Sequence, residues 1–261
     1  MTTWKAVFSD DFPDAQDVDR SKWESPFWTP QNNKAFLGRT GFRNPKDFEG
    51  QIGLVPCTAQ NGADLRLSTY NPKAEPAASA FLGTEIHTVE KFGGQGQTVK
   101  FEAEVRNPVM PGGAVTSVFS YALCTSTRTV QNEIDFEFAT NHLGPAPSQE
   151  FLTNVFVCSS GAGSGPRILQ TTYNLTNRHT YAVIYTPDHS VEWQINGNTV
   201  RTETAHVPDW KASGGMALYL NFWAPDRGWA WAYNADIAPT GASGEREWHY
   251  YVKRAAVYYA A

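Results

Sequence analysis

Hydrophobic and polar residues alternate with a period of two along much of the chain, as in β-strands that bury one face. This pattern, with its β-branched and aromatic residues, predicts strands over 64–70, 98–106, 180–186 and 191–195. Residues that favour turns, namely Gly, Pro, Asn and Asp, bound these segments. Apolar residues at helical spacing do not persist beyond about two turns. The pattern therefore predicts an all-β fold.

The dipeptide Asn196-Gly197 separates two of the predicted strands. A two-residue type I′ turn needs positive φ at both central positions, and Asn-Gly is strongly preferred there. We therefore predict a β-hairpin of residues 191–195 and 198–204. Because no linker or repeat divides the sequence, residues 1–261 are interpreted as one domain, a sandwich of two curved antiparallel sheets.

The composition narrows the classes of partner. Hydrophobic residues make up 41% of the chain, and no apolar run approaches the roughly 18 residues of a membrane helix, so we expect a soluble protein without a membrane partner. The formal net charge is -5 and Lys and Arg do not cluster, so no nucleic acid is expected as a partner. Aromatic residues reach 13%, which indicates stacking surfaces beyond those of a core.

Cysteine and histidine residues show no spacing typical of a metal site. The three cysteines, Cys57, Cys124 and Cys158, allow one disulfide at most, and the sequence leaves its pairing open. His142 and His179 are interpreted as turn or surface residues. We therefore expect neither a metal nor a cofactor.

The segment Gln131–Phe138, QNEIDFEF, carries the most informative pattern. In a strand, Glu133, Asp135 and Glu137 share one face, while the apolar residues between them face the core. Acidic residues are disfavoured in strands, and three on one face repel one another. One explanation is an edge strand whose charges prevent aggregation, but such a strand more often carries Lys or mixed charges. We favour a catalytic role.

The spacing of Glu133 and Glu137 suits the carboxylate pair of glycoside hydrolysis. At about 3.3 Å per residue, their Cα atoms lie roughly 13 Å apart. If each side chain leans inward by about 4 Å, the carboxyl groups approach to about 5 Å, the separation of a retaining glycosidase. Such crowded carboxyls cannot all ionise cheaply, so at least one pKa is raised.

With this motif, the sequence resembles glycoside hydrolase family 16, whose signature is Glu-x-Asp-x-Glu on a strand that lines the cleft of a β-jelly roll. The resemblance covers almost the whole chain and implies a jelly roll with a carbohydrate-binding cleft. The other segments that carry it, in family order, are Phe8–Phe12 with Asp19–Trp23, Phe92–Glu104, His179–Asp188 with the Asn-Gly turn, Leu218–Trp223 and Val257–Tyr259.

Carried over residue by residue, the resemblance implies that Glu133 is the nucleophile and Glu137 the general acid/base, with Asp135 assisting between them. It also implies that Glu85 and Asn154 contact sugar. Stacking platforms for sugar rings are predicted at Trp28, Trp223, Trp229 and Trp231. Loop flanks and neighbouring prolines favour the cleft for the first two, while a core position is an equal alternative for the last two.

The sequence departs from the family pattern at three places. Phe156 stands where some relatives have Tyr, which removes one possible hydroxyl contact. Ala139-Thr140 follows the motif where many members have Leu-Gly, which affects the local loop and therefore the sugar subsites. Lys253 stands where many members have an Asp that helps to bind calcium, so we expect no calcium site at that position.

We therefore expect a monomeric, endo-acting, retaining glycosidase that cleaves neutral β-1,3-1,4- or β-1,3-glucan by double displacement. The motif lacks the inserted residue of many laminarinases and thereby resembles the lichenase and xyloglucan-acting branches. Two alternatives stay open: a transglycosylase of the same fold acting on β-glucan or xyloglucan, and a non-catalytic carbohydrate-binding jelly roll. A secreted or extracellular location is expected if a signal segment was removed from the chain.

Overall fold

The computed structural model of the chain describes residues 2–13, 18–25, 38–42, 62–72, 80–126, 130–144, 149–158 and 163–261. The strands in these ranges are β1 (Trp4–Asp10), β2 (Trp23–Glu24), β3 (Thr40–Phe42), β4 (Ala63–Ser68), β5 (Phe81–Thr88), β6 (Val99–Arg106), β7 (Val115–Leu123), β8 (Gln131–Ala139), β9 (Gln149–Phe156), β10 (Arg167–Thr171), β11 (Arg178–Thr186), β12 (Ser190–Ile195), β13 (Asn198–Glu203), β14 (Ala217–Trp223) and β15 (Glu247–Ala260). Helical structure there amounts to α1 (Trp210–Ser213) and two 3-10 turns, Thr140–His142 and Ala242–Gly244. None of these helical segments has the length and apolar character needed to span a membrane.

Twelve of the described strands follow one path that curls over into two packed layers, while β1 pairs with β15, and β2 and β3 pair with β5. The front layer has the order β10-β9-β8-β7-β14-β5, and the back layer has the order β4-β15-β6-β11-β12-β13. The two layers join where Ser68 of β4 pairs with Leu82 of β5. Neighbouring strands within each layer are antiparallel. The predicted sandwich of two curved antiparallel sheets is therefore confirmed.

The predicted hairpin is present between β12 and β13. Its turn has φ angles of 53° at Asn196 and 78° at Gly197. Glycine adopts positive φ without a Cβ clash, and Asn tolerates it better than most residues. This local chemistry fixes the register beside the turn, and an irregularity between Trp193 and Gln194 shifts it by one residue farther along.

The inward face of β8 packs against aromatic side chains of the back layer. The rings of Phe136 and Phe138 contact Tyr181 of β11, with centroid separations of 5.5 and 4.6 Å. Trp193 of β12 also reaches across, and its Nε1 donates a hydrogen bond to the backbone oxygen of Asp135 at 2.9 Å. Burying each such aromatic side chain contributes about 1.5–3 kcal/mol. The inward face of β8 is thus fixed, which orients the acidic residues on its other face.

A disulfide bond between Cys124 and Cys158 crosses the beginning of β8. It joins the residue after β7 to the segment after β9, and β8 lies between these strands. The backbone N–H of Cys158 also donates to Oδ1 of Asn132 in β8 at 2.9 Å. The disulfide resolves the pairing that the sequence left open, while Cys57 lies outside the described residues.

Replacing Cys124 and Cys158 together with Ser is expected to lower the free energy of unfolding. The bond closes a loop with a sequence separation of 34 residues, and the lost restraint on the unfolded chain corresponds to about 3–4 kcal/mol. Urea titration measures the change. In reductant, the unmutated protein should have the same free energy of unfolding as the double variant. A double variant as stable as the oxidised parent would contradict the prediction.

Candidate active site

The three motif acids lie on the outer side of the front layer, which we call the site face. Alternation along β8 places Glu133, Asp135 and Glu137 there, opposite the buried phenylalanines. Glu133 and Asp135 are only 8% and 4% exposed, and Glu137 is half-buried. Because β8 pairs with β7 on one side and β9 on the other, it is an interior strand. The edge-strand explanation of these acids is therefore wrong.

A row of polar side chains crosses the site face beside Glu137. Glu137 lies opposite Ser117 of β7, Ser117 opposite Asn221 of β14, and Asn221 opposite Glu85 of β5. Opposed residues in antiparallel strands point to the same face. Asn221 Nδ2 donates to Glu85 Oε2 at 3.1 Å. Within the described residues, the buried Asn221 Oδ1 and Ser117 Oγ have no hydrogen-bond partner.

Other neighbours of the acids come from β7 and β9. Asn154 lies opposite Asp135 and is 7% exposed, and its Oδ1 accepts a hydrogen bond from the N–H of Val155 at 2.9 Å. Glu133 lies between Tyr121 of β7 and the exposed Phe156 of β9. The predicted residues Glu85 and Asn154 are thus brought onto one face with the three acids.

Hydrogen bonds distinguish Glu133 from Glu137. Gln131 Nε2 donates to Glu133 Oε2 at 3.0 Å. Burial, reinforced by the charges of Glu133 and Glu137, raises the pKa of Asp135 well above its ordinary value. Asp135 therefore keeps its proton and donates a hydrogen bond to Glu133. Both contacts favour the ionised form of Glu133.

Glu137 has the opposite environment. No described side chain donates a hydrogen bond to it, and burial together with the charge of Glu133 raises its pKa to about 8. Burial also raises the pKa of Glu133, to about 7, but its two hydrogen bonds oppose the rise. In the polar row, burial raises the pKa of Glu85 to about 8. Of the two glutamates on β8, Glu137 is therefore protonated more readily than Glu133.

Four rings form an aromatic wall beside the acids. Trp223 stacks on Trp229, Trp229 contacts Trp231, and Trp231 stacks on His142, with centroid separations of 5.7, 5.8 and 4.8 Å. Trp223 is 4% exposed because it packs in a small hydrophobic cluster under Trp229. Its placement favours support of Trp229 over direct contact with sugar. Trp28 lies outside the described residues.

The two singled-out histidines have defined partners. His142 lies in the 3-10 turn after β8, as expected of a turn residue. His179 belongs to β11 and is partly exposed, as expected of a surface residue, and its ring contacts the backbone oxygen of Asn174 and Nδ2 of Asn196, both at 2.9 Å. Among the residues that the structure describes, no three His, Cys, Asp or Glu side chains are grouped to hold a metal ion.

Several residues of the site face were not predicted from the sequence, although inward and outward side chains alternate along their strands as they do along β8. In Leu218–Trp223, the leucines face the core, while Tyr219 and Asn221 face the site. His87 stacks on Tyr219 with a centroid separation of 4.4 Å, which extends the face away from the acids. Alternation could have identified the outward residues, but not which strands adjoin β8.

Comparison with known proteins identifies the family. The profile of glycosyl hydrolases family 16 matches residues 55–248. The chain belongs to glycosyl hydrolases family 16. Family 16 membership confirms the resemblance read from the sequence, and the matched range includes β8 and most of the strands around it. No curated protein sequence matches the chain significantly.

Solved structures similar to this family 16 chain share its fold over nearly the full length. A prokaryotic β-1,3-1,4-glucanase (lichenase) from a mouse hindgut metagenome is 19% identical, with a TM-score of 0.67 and coverage of 97% of this chain and 98% of that one. The catalytic domain of an endo-1,3-β-glucanase (laminarinase) from Thermotoga petrophila RKU-1 is 12% identical, with a TM-score of 0.74 and coverage of 100% and 99%. An immunostimulatory antigen and pseudo β-1,3-glucanase of Mycobacterium tuberculosis is 16% identical, with a TM-score of 0.67 and coverage of 98% and 99%. At these identities the likeness concerns the fold.

Proposed function

We propose that the protein is an endo-acting, retaining glycosidase that cleaves a neutral β-glucan. The observation that carries this proposal is the unequal environment of two glutamates on one strand face. Glu133 accepts hydrogen bonds that favour its carboxylate, while Glu137 has no described donor and is more easily protonated. A retaining glycosidase needs this combination of an ionised nucleophile and a protonated acid.

The proposed reaction proceeds in two displacements. The Glu133 carboxylate attacks the anomeric carbon while Glu137 donates its proton to the departing glycosidic oxygen, which forms a glycosyl-enzyme. Glu137, now ionised, removes a proton from water, and the hydroxide oxygen displaces Glu133 from the sugar. Asp135 stays protonated and donates to Glu133 throughout, which stabilises its carboxylate when that is the nucleophile or leaving group.

The chemistry of the site face supports an uncharged glycan. Its described strand residues include hydroxyl, amide and aromatic side chains but no Lys or Arg that could pair with sulfate or carboxylate groups. The unpartnered oxygens of Ser117 and Asn221 suit sugar hydroxyl groups. The lichenase and laminarinase among the similar structures act on β-1,3-1,4- and β-1,3-glucans, and we infer one of these linkages here.

A hydrolysis panel tests the proposal. The protein is incubated with barley β-glucan, laminarin, xyloglucan and carrageenan, and new reducing ends are measured together with binding to each polymer. We expect fastest cleavage of barley glucan or laminarin. Binding to a glucan with neither new reducing ends nor a change in chain length would instead favour the non-catalytic jelly roll. A redistribution of chain lengths without new reducing ends would favour transglycosylation.

The rate of hydrolysis is expected to have a bell-shaped pH dependence. The value of kcat/KM should rise as Glu133, with a pKa of about 7, loses its proton. It should fall as Glu137, with a pKa of about 8, loses the proton needed by the leaving group. Because the two carboxyl groups interact, the acidic and alkaline limbs of the profile give apparent pKa values that belong to the pair. A profile without an alkaline limb over pH 6–10 would contradict the role of Glu137.

We further infer one catalytic domain in an oxidising compartment. Pairing of Trp4 in β1 with Ala260 in β15 supports one domain, since both ends of the chain lie in the same layer. The disulfide supports a secreted or extracellular location, because such bonds persist mainly outside reducing compartments.

A further inference from the structure

The aromatic wall is anchored by the short turn that follows the acidic strand. We propose that Asn141 and His142 are positioning residues, which hold the indole rings of Trp229 and Trp231 in the position where a glycan stacks on them. This inference rests on the proposed function and extends it to residues outside the motif. Both residues come within three positions of Ala139, the last residue of β8.

Asn141 holds the backbone of the wall. Its Nδ2 donates hydrogen bonds to the backbone oxygens of Trp231 and Tyr233, each at 3.1 Å. These two carbonyls belong to a segment that forms no strand or helix, and the side chain of Asn141 supplies a hydrogen bond to each. One amide group therefore uses both of its donors to fix the segment directly behind Trp231.

His142 holds both the backbone and the ring of Trp231. Its Nε2 lies 2.9 Å from the backbone oxygen of Trp231, and its ring stacks on the indole at an interplanar angle of 12°. On its other side, Nδ1 lies 3.2 Å from a carboxylate oxygen of Glu150 in β9. His142 thus connects the wall to two strands of the site face and forms its fourth ring.

A separate anchor holds the rest of the same segment. Arg39 donates to the backbone oxygens of Pro225 at 2.8 Å and Asn234 at 3.2 Å, and its guanidinium lies over the ring of Tyr233. Arg39 therefore keeps the segment that carries the tryptophans packed against the sheet when Asn141 or His142 is replaced. Loss of the contacts from Asn141 and His142 should displace the two tryptophans locally without unfolding the protein.

Three variants test the proposal. Asn141→Asp keeps the shape but removes both donors, His142→Phe keeps a ring but removes the hydrogen bonds, and His142→Gln keeps a donor but removes the ring. On the preferred glucan, Asn141→Asp should raise KM about tenfold or more, because two hydrogen bonds to the wall are lost. Its kcat should change less than about threefold, since the wall does not touch the reacting atoms. His142→Phe and His142→Gln each remove only part of the contacts of His142, so each should raise KM by a smaller factor than Asn141→Asp does.

A binding measurement and a proteolysis measurement complete the test. In a Glu133→Gln background, calorimetry should show the same loss of affinity for a glucan oligosaccharide. Trypsin should cut after the exposed Arg227 faster in Asn141→Asp than in the parent, a result that needs no substrate. His179→Gln is the matched control, because its ring also has two hydrogen-bonding partners but lies in the back layer.

The outcomes separate the two proposals. A parent that neither cleaves nor binds any glucan contradicts the proposed function, and the trypsin rates then still decide whether the turn holds the wall. Unchanged KM, affinity and trypsin rate in Asn141→Asp, or a fall in kcat alone, would overturn the positioning role. A similar rise in KM in His179→Gln would also overturn it.

Discussion

Replacing Glu133 with Gln is expected to lower kcat on a β-glucan by more than about 10³-fold, because a nucleophile that forms a covalent intermediate has no substitute. The amide conserves the shape of the carboxyl and removes its charge. It also removes a buried carboxylate whose pKa is raised by burial, so the fold should be retained. Turnover is measured as new reducing ends, and folding as a cooperative urea transition.

Glu104→Gln provides the matched control for this variant. Glu104 lies on β6 in the back layer, where it is paired with Arg178 at 3.7 Å, outside the site face. The same chemical change there should leave kcat within about twofold of the parent, as expected of an exposed ion pair. Substantial activity in a folded Glu133→Gln protein would exclude Glu133 as the nucleophile.

Replacing Glu137 with Gln is expected to have the second largest effect, and its size should depend on the leaving group. General acid catalysis contributes about 10²–10⁴-fold when the departing oxygen is poorly acidic, as it is in a polysaccharide. In an aryl oligosaccharide, the acidic phenol leaves as a phenolate without being protonated. The rate of the first displacement in the variant should therefore be close to that of the parent. The comparison of kcat/KM on both substrates checks the role.

The same comparison distinguishes the two glutamates. Glu133→Gln should lose activity on the aryl substrate and on the polysaccharide alike, because both need the nucleophile. Equal losses on the two substrates in Glu137→Gln would contradict its assignment as the general acid. The alkaline limb of the pH profile should also disappear in that variant, since the group that loses the proton is gone.

Local patterns in the sequence were sufficient to predict the strand that carries the acids. Alternation over Gln131–Phe138 separates the acidic face from the apolar face, and the structure has both where predicted. The Asn196-Gly197 turn was equally predictable, because its backbone requirement is satisfied by two adjacent residues. These features depend on residues that are close in sequence.

The remainder of the site depends on contacts between distant residues. Glu85 and Asn221 form a hydrogen bond across a separation of 136 residues, and no local pattern encodes that pairing. The position of Trp223 illustrates the same limit. Its neighbouring proline pointed to an exposed platform, whereas it ends β14 and is covered by Trp229 from the following segment. The choice of Cys124 and Cys158 as disulfide partners also needed the strand order.

The stereochemistry of the first product tests the central claim most directly. Proton NMR follows the preferred glucan from the first minutes of hydrolysis, before mutarotation mixes the anomers. Attack by Glu133, followed by attack of water from the opposite face, inverts the anomeric carbon twice, so the β-anomer is expected first. An initial α-anomer would mean that water attacks the anomeric carbon directly as the glycosidic oxygen departs, and would contradict a nucleophilic Glu133.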